Sequence, residues 1–198
     1  VVSFHYECIC VAGFESTPGN EDCAIDIDEC ASSPCDNGAV CTESSTNAAV
    51  PDNMYRCTCA AGFADGMCAY SFISEYETEC TVENSFQDPT LSGNCDIDVD
   101  ECASAPCVNG AVCHDSSDDP SIPVHTYQCA CHEGYANGMC SFDYIPEYEN
   151  ECNVATGGNC NIDIDECDSS PCVNDAVCTD SSDGGNIPIH AYSCACTE

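Results

Sequence analysis

The sequence predicts a small disulfide-rich fold repeated in tandem, on three observations. Cysteine supplies 24 of 198 residues, a density at which covalent staples rather than a large apolar core hold small secreted domains together. A five-residue string recurs, Asp-Ile-Asp-Glu-Cys at 26–30, Asp-Val-Asp-Glu-Cys at 98–102 and Asp-Ile-Asp-Glu-Cys at 163–167, at intervals of 72 and 65 residues; self-similarity of this kind marks a repeat architecture. Finally, 36 acidic residues face a single basic one, Arg56, for a formal net charge of -35. Such a surface repels nucleic acid and anionic lipid and attracts divalent cations or basic partners.

The cysteines come first. They stand in Cys-x-Cys pairs rather than Cys-x-x-Cys knuckles, the five His are scattered, and the repeats are regular, so the pattern points to disulfides in an oxidising compartment and away from thiolate metal sites. Each repeat string opens the same grammar: Cys-x-Ser-x-Pro-Cys, five residues, a third Cys, a Ser/Asp/Pro-rich loop of variable sequence, then Tyr-x-Cys-x-Cys. Gly13-Phe14, Gly62-Phe63 and Gly134-Tyr135 occupy one recurring position. With no Lys, neither lysyl oxidation nor glutamine-to-lysine isopeptide bonds can crosslink this stretch, and Arg56 is the one tryptic site. No apolar run is long enough to span a membrane, so no direct membrane insertion of this segment is expected.

This order of residues resembles the calcium-binding EGF-like module. The resemblance implies short two-stranded β-hairpins with little helix, strung into an elongated rod. It divides the chain into 1–25, the C-terminal part of a module; 26–97 and 98–162, modules carrying an inserted disulfide loop; and 163–198, the N-terminal part of another. In the family the first Cys pairs with the third and the second with the fourth. Carried over, that gives Cys30–Cys41, Cys35–Cys57, Cys102–Cys113, Cys107–Cys129, Cys167–Cys178 and Cys172–Cys194.

Each full repeat holds eight Cys instead of six, and two pairings of the remainder fit. Cys10 has only Cys23 after it before Cys30, and Cys95 and Cys160 stand in that same position. This favours Cys10–Cys23, Cys59–Cys95 and Cys131–Cys160, with Cys68–Cys80 and Cys140–Cys152 closing an inserted loop. The rival joins Cys59 to Cys68 and Cys131 to Cys140. Cys8 and Cys196 are left over, as expected of a piece cut from a longer array. With too little core for self-sufficiency, each bridge is expected to contribute about 2–4 kcal/mol. The core that exists is expected at Tyr55, Phe63, Tyr127, Tyr135 and Tyr192.

Calcium takes six to eight oxygen ligands, and an extended Asp-x-Asp-Glu segment offers alternating carboxylates and a carbonyl. The resemblance implies Ca²⁺ held by side chains of Asp26 and Glu29, Asp98 and Glu101, Asp163 and Glu166, with carbonyls of Ile27, Val99 and Ile164. A further ligand two residues after the third Cys falls at Asp115 and Asp180, with carbonyls of Ser116 and Ser181; Glu43 stands there in the first full repeat, a departure from the family's Asp or Asn. The loop that follows is longer than the family's in every repeat. Three such ions would offset only a small part of the net charge, so their expected role is geometric, fixing the angle between modules.

Ser32, Ser104 and Ser169, each in Cys-x-Ser-x-Pro-Cys, resemble the serine that O-glucosylating enzymes modify; a turn serine beside a proline is the other use of that position. The loops Ser44–Pro51 and Ser116–Pro123 offer further O-glycan acceptors, and no Asn-x-Ser/Thr sequon occurs. The insertions at 70–80 and 142–152 mix aromatics with acids and serve either as private mini-cores or as lateral faces. With its acidity, this pattern resembles, more loosely, the filament proteins of heterokont algal mastigonemes, the sexually induced protein family.

Catalysis finds no footing: no nucleophile–base pair and no His-Glu-x-x-His motif occurs. The function expected is therefore a structural subunit of an extracellular filament, partnered by copies of itself or related repeat proteins. The alternative is an ectodomain segment of an adhesion or signalling protein.

Overall fold

The alternation in Tyr-x-Cys-x-Cys dictates the strands, because successive residues of a strand face opposite sides and every second one is a cysteine. A computed structural model describes residues 9–20, 22–68, 93–184 and 186–196. The chain packs as two compact units, Val1–Val99 and Asp100–Glu198.

In the first unit, β1 (Phe14–Glu15) pairs antiparallel with β2 (Ile25–Asp26). The hairpin of β3 (Val40–Glu43) and β4 (Tyr55–Cys59) sets Cys41 opposite Cys57, yet the two bond elsewhere, Cys41 to Cys30 and Cys57 to Cys35. On β4 it is Cys57 and Cys59 that are buried, in step with the alternation. β5 (Phe63–Ala64) precedes β6 (Met67–Cys68), which lies parallel to β4 with Cys68 opposite Cys59. β5 pairs antiparallel with β7 (Ile97–Asp98).

The second unit repeats this plan. β8 (Val112–His114) and β9 (Gln128–Cys131) form a hairpin with Cys113 opposite Cys129. β10 (Tyr135–Ala136) precedes β11 (Met139–Cys140), which lies parallel to β9. β10 pairs antiparallel with β12 (Ile162–Asp163), and β13 (Val177–Thr179) with β14 (Ser193–Ala195), setting Cys178 opposite Cys194.

The remaining bridges are Cys10–Cys23, Cys59–Cys95, Cys102–Cys113, Cys107–Cys129, Cys131–Cys160, Cys140–Cys152, Cys167–Cys178 and Cys172–Cys194. Of the two pairings left open by the sequence, the structure thus joins Cys59 and Cys131 forward to the last Cys of the repeat. Cys68 is also disulfide-bonded; its expected partner Cys80, like Cys8 and the insertion 70–80, lies outside the described residues. Cys196 is a free, exposed thiol.

A glycine explains how the long bridge fits. A Cβ on Gly138 would stand 2.6 Å from both sulfurs of Cys131–Cys160, and one on Gly66 would stand 2.6 and 2.7 Å from those of Cys95 and Cys59. The turn is tied down at its far side too, since Asn37 and Asn109 donate side-chain hydrogen bonds to the carbonyls of Cys95 and Cys160, each at 2.9 Å.

The cores are small and centred on sulfur. Tyr55 and Phe63 pack on Cys57, Cys59 and Cys95, and Tyr127 and Tyr135 on Cys129, Cys131 and Cys160. Tyr192 departs from the expectation, being 46% exposed.

Candidate metal centres

Two constructions recur at each Asp-x-Asp-Glu string. The first Asp ends a two-residue strand laid against the aromatic of the preceding turn, Asp26 opposite Phe14 and Asp163 opposite Tyr135. The next amide then donates back to the glycine before that aromatic: Ile27 to Gly13 O at 2.8 Å, Val99 to Gly62 O at 2.8 Å and Ile164 to Gly134 O at 2.9 Å. Glu29 and Glu101 open 3-10 turns, Glu29–Ser32 and Glu101–Ser104. Ser32, Ser104 and Ser169 close the corresponding turns, exposed, with their hydroxyls donating to the carbonyls of Glu29, Glu101 and Glu166 at 3.4, 3.3 and 3.1 Å.

The hairpin brings in the other acids. In the first set the Ser44 hydroxyl donates to Asp26 Oδ2 at 3.3 Å, and in the third the Ser181 hydroxyl donates to Asp163 Oδ2 at 3.2 Å. This one bond, made twice, ties the hairpin end to the extended string. Glu43, Asp115 and Asp180 are only 4, 3 and 1% exposed. Asp180 Oδ1 accepts from the Ser182 amide and hydroxyl at 2.9 and 2.7 Å and from the Asp183 amide at 3.2 Å, and Asp115 Oδ1 accepts likewise from Ser117 at 3.0 and 2.6 Å. Glu43, one methylene longer, instead accepts from the Ser45 hydroxyl.

What is left over after these bonds is the informative part. Asp26 Oδ1, both carboxylate oxygens of Glu29 and Glu43 Oε2 are buried without a hydrogen-bond partner, and so are Asp163 Oδ1, Glu166 Oε2 and Asp180 Oδ2. Buried carboxylate oxygens left bare are costly, and a cluster of them calls for a counter-ion. The electrostatics agree. Burial pushes the Glu29 carboxyl above its ordinary range, with the charges of Asp26 and Glu43 adding to it. Burial likewise raises Glu166, helped by Asp180 and Asp163, and raises Asp163, helped by Asp180. Oxygen donors only, anionic and poorly satisfied, are what a hard divalent cation prefers.

Of the middle set, Asp98 and Val99 belong to the first unit and Glu101, Asp115 and Ser116 to the second. Within the second unit, Asp100, Cys102 and Asp115 bring ligand-type atoms within 4.8 Å of one another; the Cys102 sulfur is committed to Cys113. Burial would raise the Asp115 carboxyl, but the hydrogen bonds from Ser117 outweigh it and hold it below its ordinary range.

The lengthened loop is what sequence reasoning missed. It was expected as a variable acceptor of glycans, yet Val50 and Ile122 are buried at 2 and 5% exposure. Val50 N–H donates to Asn47 O and Ile122 N–H to Asp119 O, both at 2.9 Å. The available signal was an apolar residue followed by Pro, seven positions after the ligand acid, in Val50-Pro51, Ile122-Pro123 and Ile187-Pro188.

Residues 30–65, the hairpin with its bridges and the Gly-Phe turn, match the family model for the EGF-like domain. This stretch has the fold of an EGF-like domain. The same bridges, register and turns recur through the described residues, so the fold class is that of small, disulfide-rich EGF-like modules in tandem. The EGF-like repeat and discoidin I-like domain-containing protein 3 of Homo sapiens is 28% identical over 153 residues, 77% of this chain and 24% of that protein. The Delta and Notch-like epidermal growth factor-related receptor of Mus musculus is 32% identical over 116 residues, 56% of this chain and 12% of that protein. The hepatocyte growth factor activator serine protease of Mus musculus is 26% identical over 129 residues, 58% of this chain and 18% of that protein. The chain thus spans a quarter or less of the length of these relatives. An EGF-like fold with this cysteine content is extracellular, and among the described residues no helix is long and apolar enough to cross a membrane.

Proposed function

We propose that this chain is a calcium-stiffened run of EGF-like modules in the extracellular part of an adhesion or signalling protein, without catalytic activity. The observation that carries the calcium reading is the set of bare, buried carboxylate oxygens at Asp26, Glu29 and Glu43 and again at Asp163, Glu166 and Asp180. These residues would hold the ion, with the carbonyls of Ile27, Ser181 and Ile164. Bound calcium supplies positive charge and oxygen coordination. The chain does the rest: β2 and β12 present the first Asp, the turn that follows presents the Glu, and the hairpin closes from the other side.

Because the string before each module is paired to the aromatic turn of the one before it, gathering these ligands fixes one module against the next. The EGF-repeat and receptor names among the relatives support the ectodomain over a filament subunit, which rests on the looser likeness of the acidic insertions. O-glycans at Ser32, Ser104 and Ser169 fit the exposure of those hydroxyls.

The test is small-angle scattering and electron microscopy of the disulfide-intact protein, with calcium and with chelator. Dispersed rods in calcium that become bent or flexible chains in chelator support the proposal. Calcium-independent shape would sink the stiffening role, and ordered filaments would transfer the function to a structural subunit.

A further inference from the structure

The chain contains its own comparison between a calcium string with an inserted loop in front of it and one without. Between Cys10 and Cys23 there is no insertion; between Cys131 and Cys160 lies the loop closed by Cys140–Cys152. The two strings that follow are the same, Asp-Ile-Asp-Glu-Cys, and make the same backbone bond to the preceding glycine. Their isoleucines differ: Ile27 is 40% exposed and Ile164 is 2% exposed.

The inserted loop accounts for the difference. Phe142, Tyr144, Ile145 and Tyr148 pack on a buried cluster of Ala136, Cys152 and Ile164. The Asp165 amide donates to the Tyr148 hydroxyl at 3.5 Å. The loop is itself anchored, since the amides of Asn137 and Gly138 donate to Glu151 O at 2.8 and 3.0 Å. The sequence is matched to this use: the residue after the aromatic is Ala136, fully buried under the loop, where the uninserted turn has the exposed Glu15.

We propose that the inserted loop is a clamp that orders the Asp163–Glu166 string before any cation arrives, with Phe142, Ile145 and Tyr148 as positioning residues. Its consequence for calcium rests on the function proposed above; the ordering itself does not. A clamped string loses less conformational freedom on binding, and pre-organised donors bind more tightly. The site at Asp163 then stays rigid through dips in calcium that loosen the site at Asp26, giving the array stiff and yielding junctions.

Amide hydrogen exchange by NMR on the disulfide-intact chain tests this, since Ile27 and Ile164 have identical neighbours and so nearly equal intrinsic rates. In chelator, the Ile164 amide is expected to exchange on the order of tenfold or more slowly than the Ile27 amide. Calcium should slow Ile27 much more than Ile164. In Ile145→Ala and Tyr148→Ala, with the Cys140–Cys152 bridge verified, the Ile164 advantage should shrink toward Ile27, and calcium affinity at the third site should fall about tenfold with the first unchanged. Equal exchange of the two amides in the unmodified protein without calcium would overturn the clamp, whatever the variants do. Slow Ile164 exchange in a protein that binds no calcium would leave the clamp standing and refute the calcium function instead.

Discussion

Replacing Glu166 by Gln keeps the side-chain shape and removes one negative charge, so it separates the two opposed roles of the acid cluster. Glu166 has a buried oxygen without a partner, and its carboxyl is pushed up by burial and by the charges of Asp180 and Asp163. Without a cation, the ionised group is a liability, and Glu166→Gln is expected to stabilise the module that begins at Asp163 slightly. With calcium the sign reverses. For an extracellular-type site with Kd on the order of 10⁻⁴ M, about 2 mM calcium stabilises the native state by roughly 1.8 kcal/mol; a tenfold weaker site leaves about 0.6 kcal/mol. The variant should therefore lose about 1.2 kcal/mol of calcium-dependent stability while gaining a few tenths in chelator. Exchange of amides in β13, read by NMR at a series of calcium concentrations, measures both, with isothermal titration giving the affinity. A variant that is less stable in chelator as well, and unchanged in calcium affinity, would refute the reasoning, because Glu166 would then be an ordinary structural acid.

Gly138→Ala should destabilise the second full repeat by roughly 1–3 kcal/mol or more, since its Cβ overlaps both sulfurs of Cys131–Cys160; thermal unfolding or refolding yield reads this, and an unchanged midpoint would contradict the packing. Reduction with excess dithiothreitol should abolish chemical-shift dispersion throughout, because each bridge contributes about 2–4 kcal/mol to modules whose cores are sulfur and a few aromatics. The Asp119 carboxyl is held below its ordinary range by the amide and hydroxyl of Ser121. Its contribution to the 115–122 loop is therefore present above the unfolded carboxylate pKa and lost as pH falls through the lower folded one. The Ser121 amide shift should move in that acidic window and stay flat above pH 5; a midpoint near neutrality would refute it.

The strings were legible because three copies of Asp-x-Asp-Glu announce a shared chemistry, whereas the bridges were legible through the resemblance to the EGF-like module, which implied the first-to-third and second-to-fourth pairings and left the partners of Cys59 and Cys131 open between two arrangements. Burial was legible only where period two applied. Tyr55 and Tyr127 were readable from the strand, whereas Tyr192 has the same sequence context and is 46% exposed. The loops after Glu43, Asp115 and Asp180 resisted reading because Ser, Asp and Pro dominate them. Val50 and Ile122, buried within them, have no periodic neighbour to mark them.

Glu43 shows how the site and the loop depend on each other. An Asp at this position can bond to the second serine after it through Oδ1, as Asp115 and Asp180 do, and Asp180 still offers its other oxygen inward. Glu43 is one methylene longer and reaches only the Ser45 hydroxyl, but the Asn47 amide donates to Glu43 O at 2.9 Å and the Thr46 hydroxyl donates there at 3.0 Å. The backbone holds this turn as it does after Asp115, where the Asp119 amide donates to Asp115 O at 3.0 Å, and Glu43 Oε2 remains buried and unpartnered as Asp180 Oδ2 does. A substitution that breaks the local turn pattern has kept the inward oxygen, which is the outcome expected if that oxygen, rather than the turn, is what the position serves.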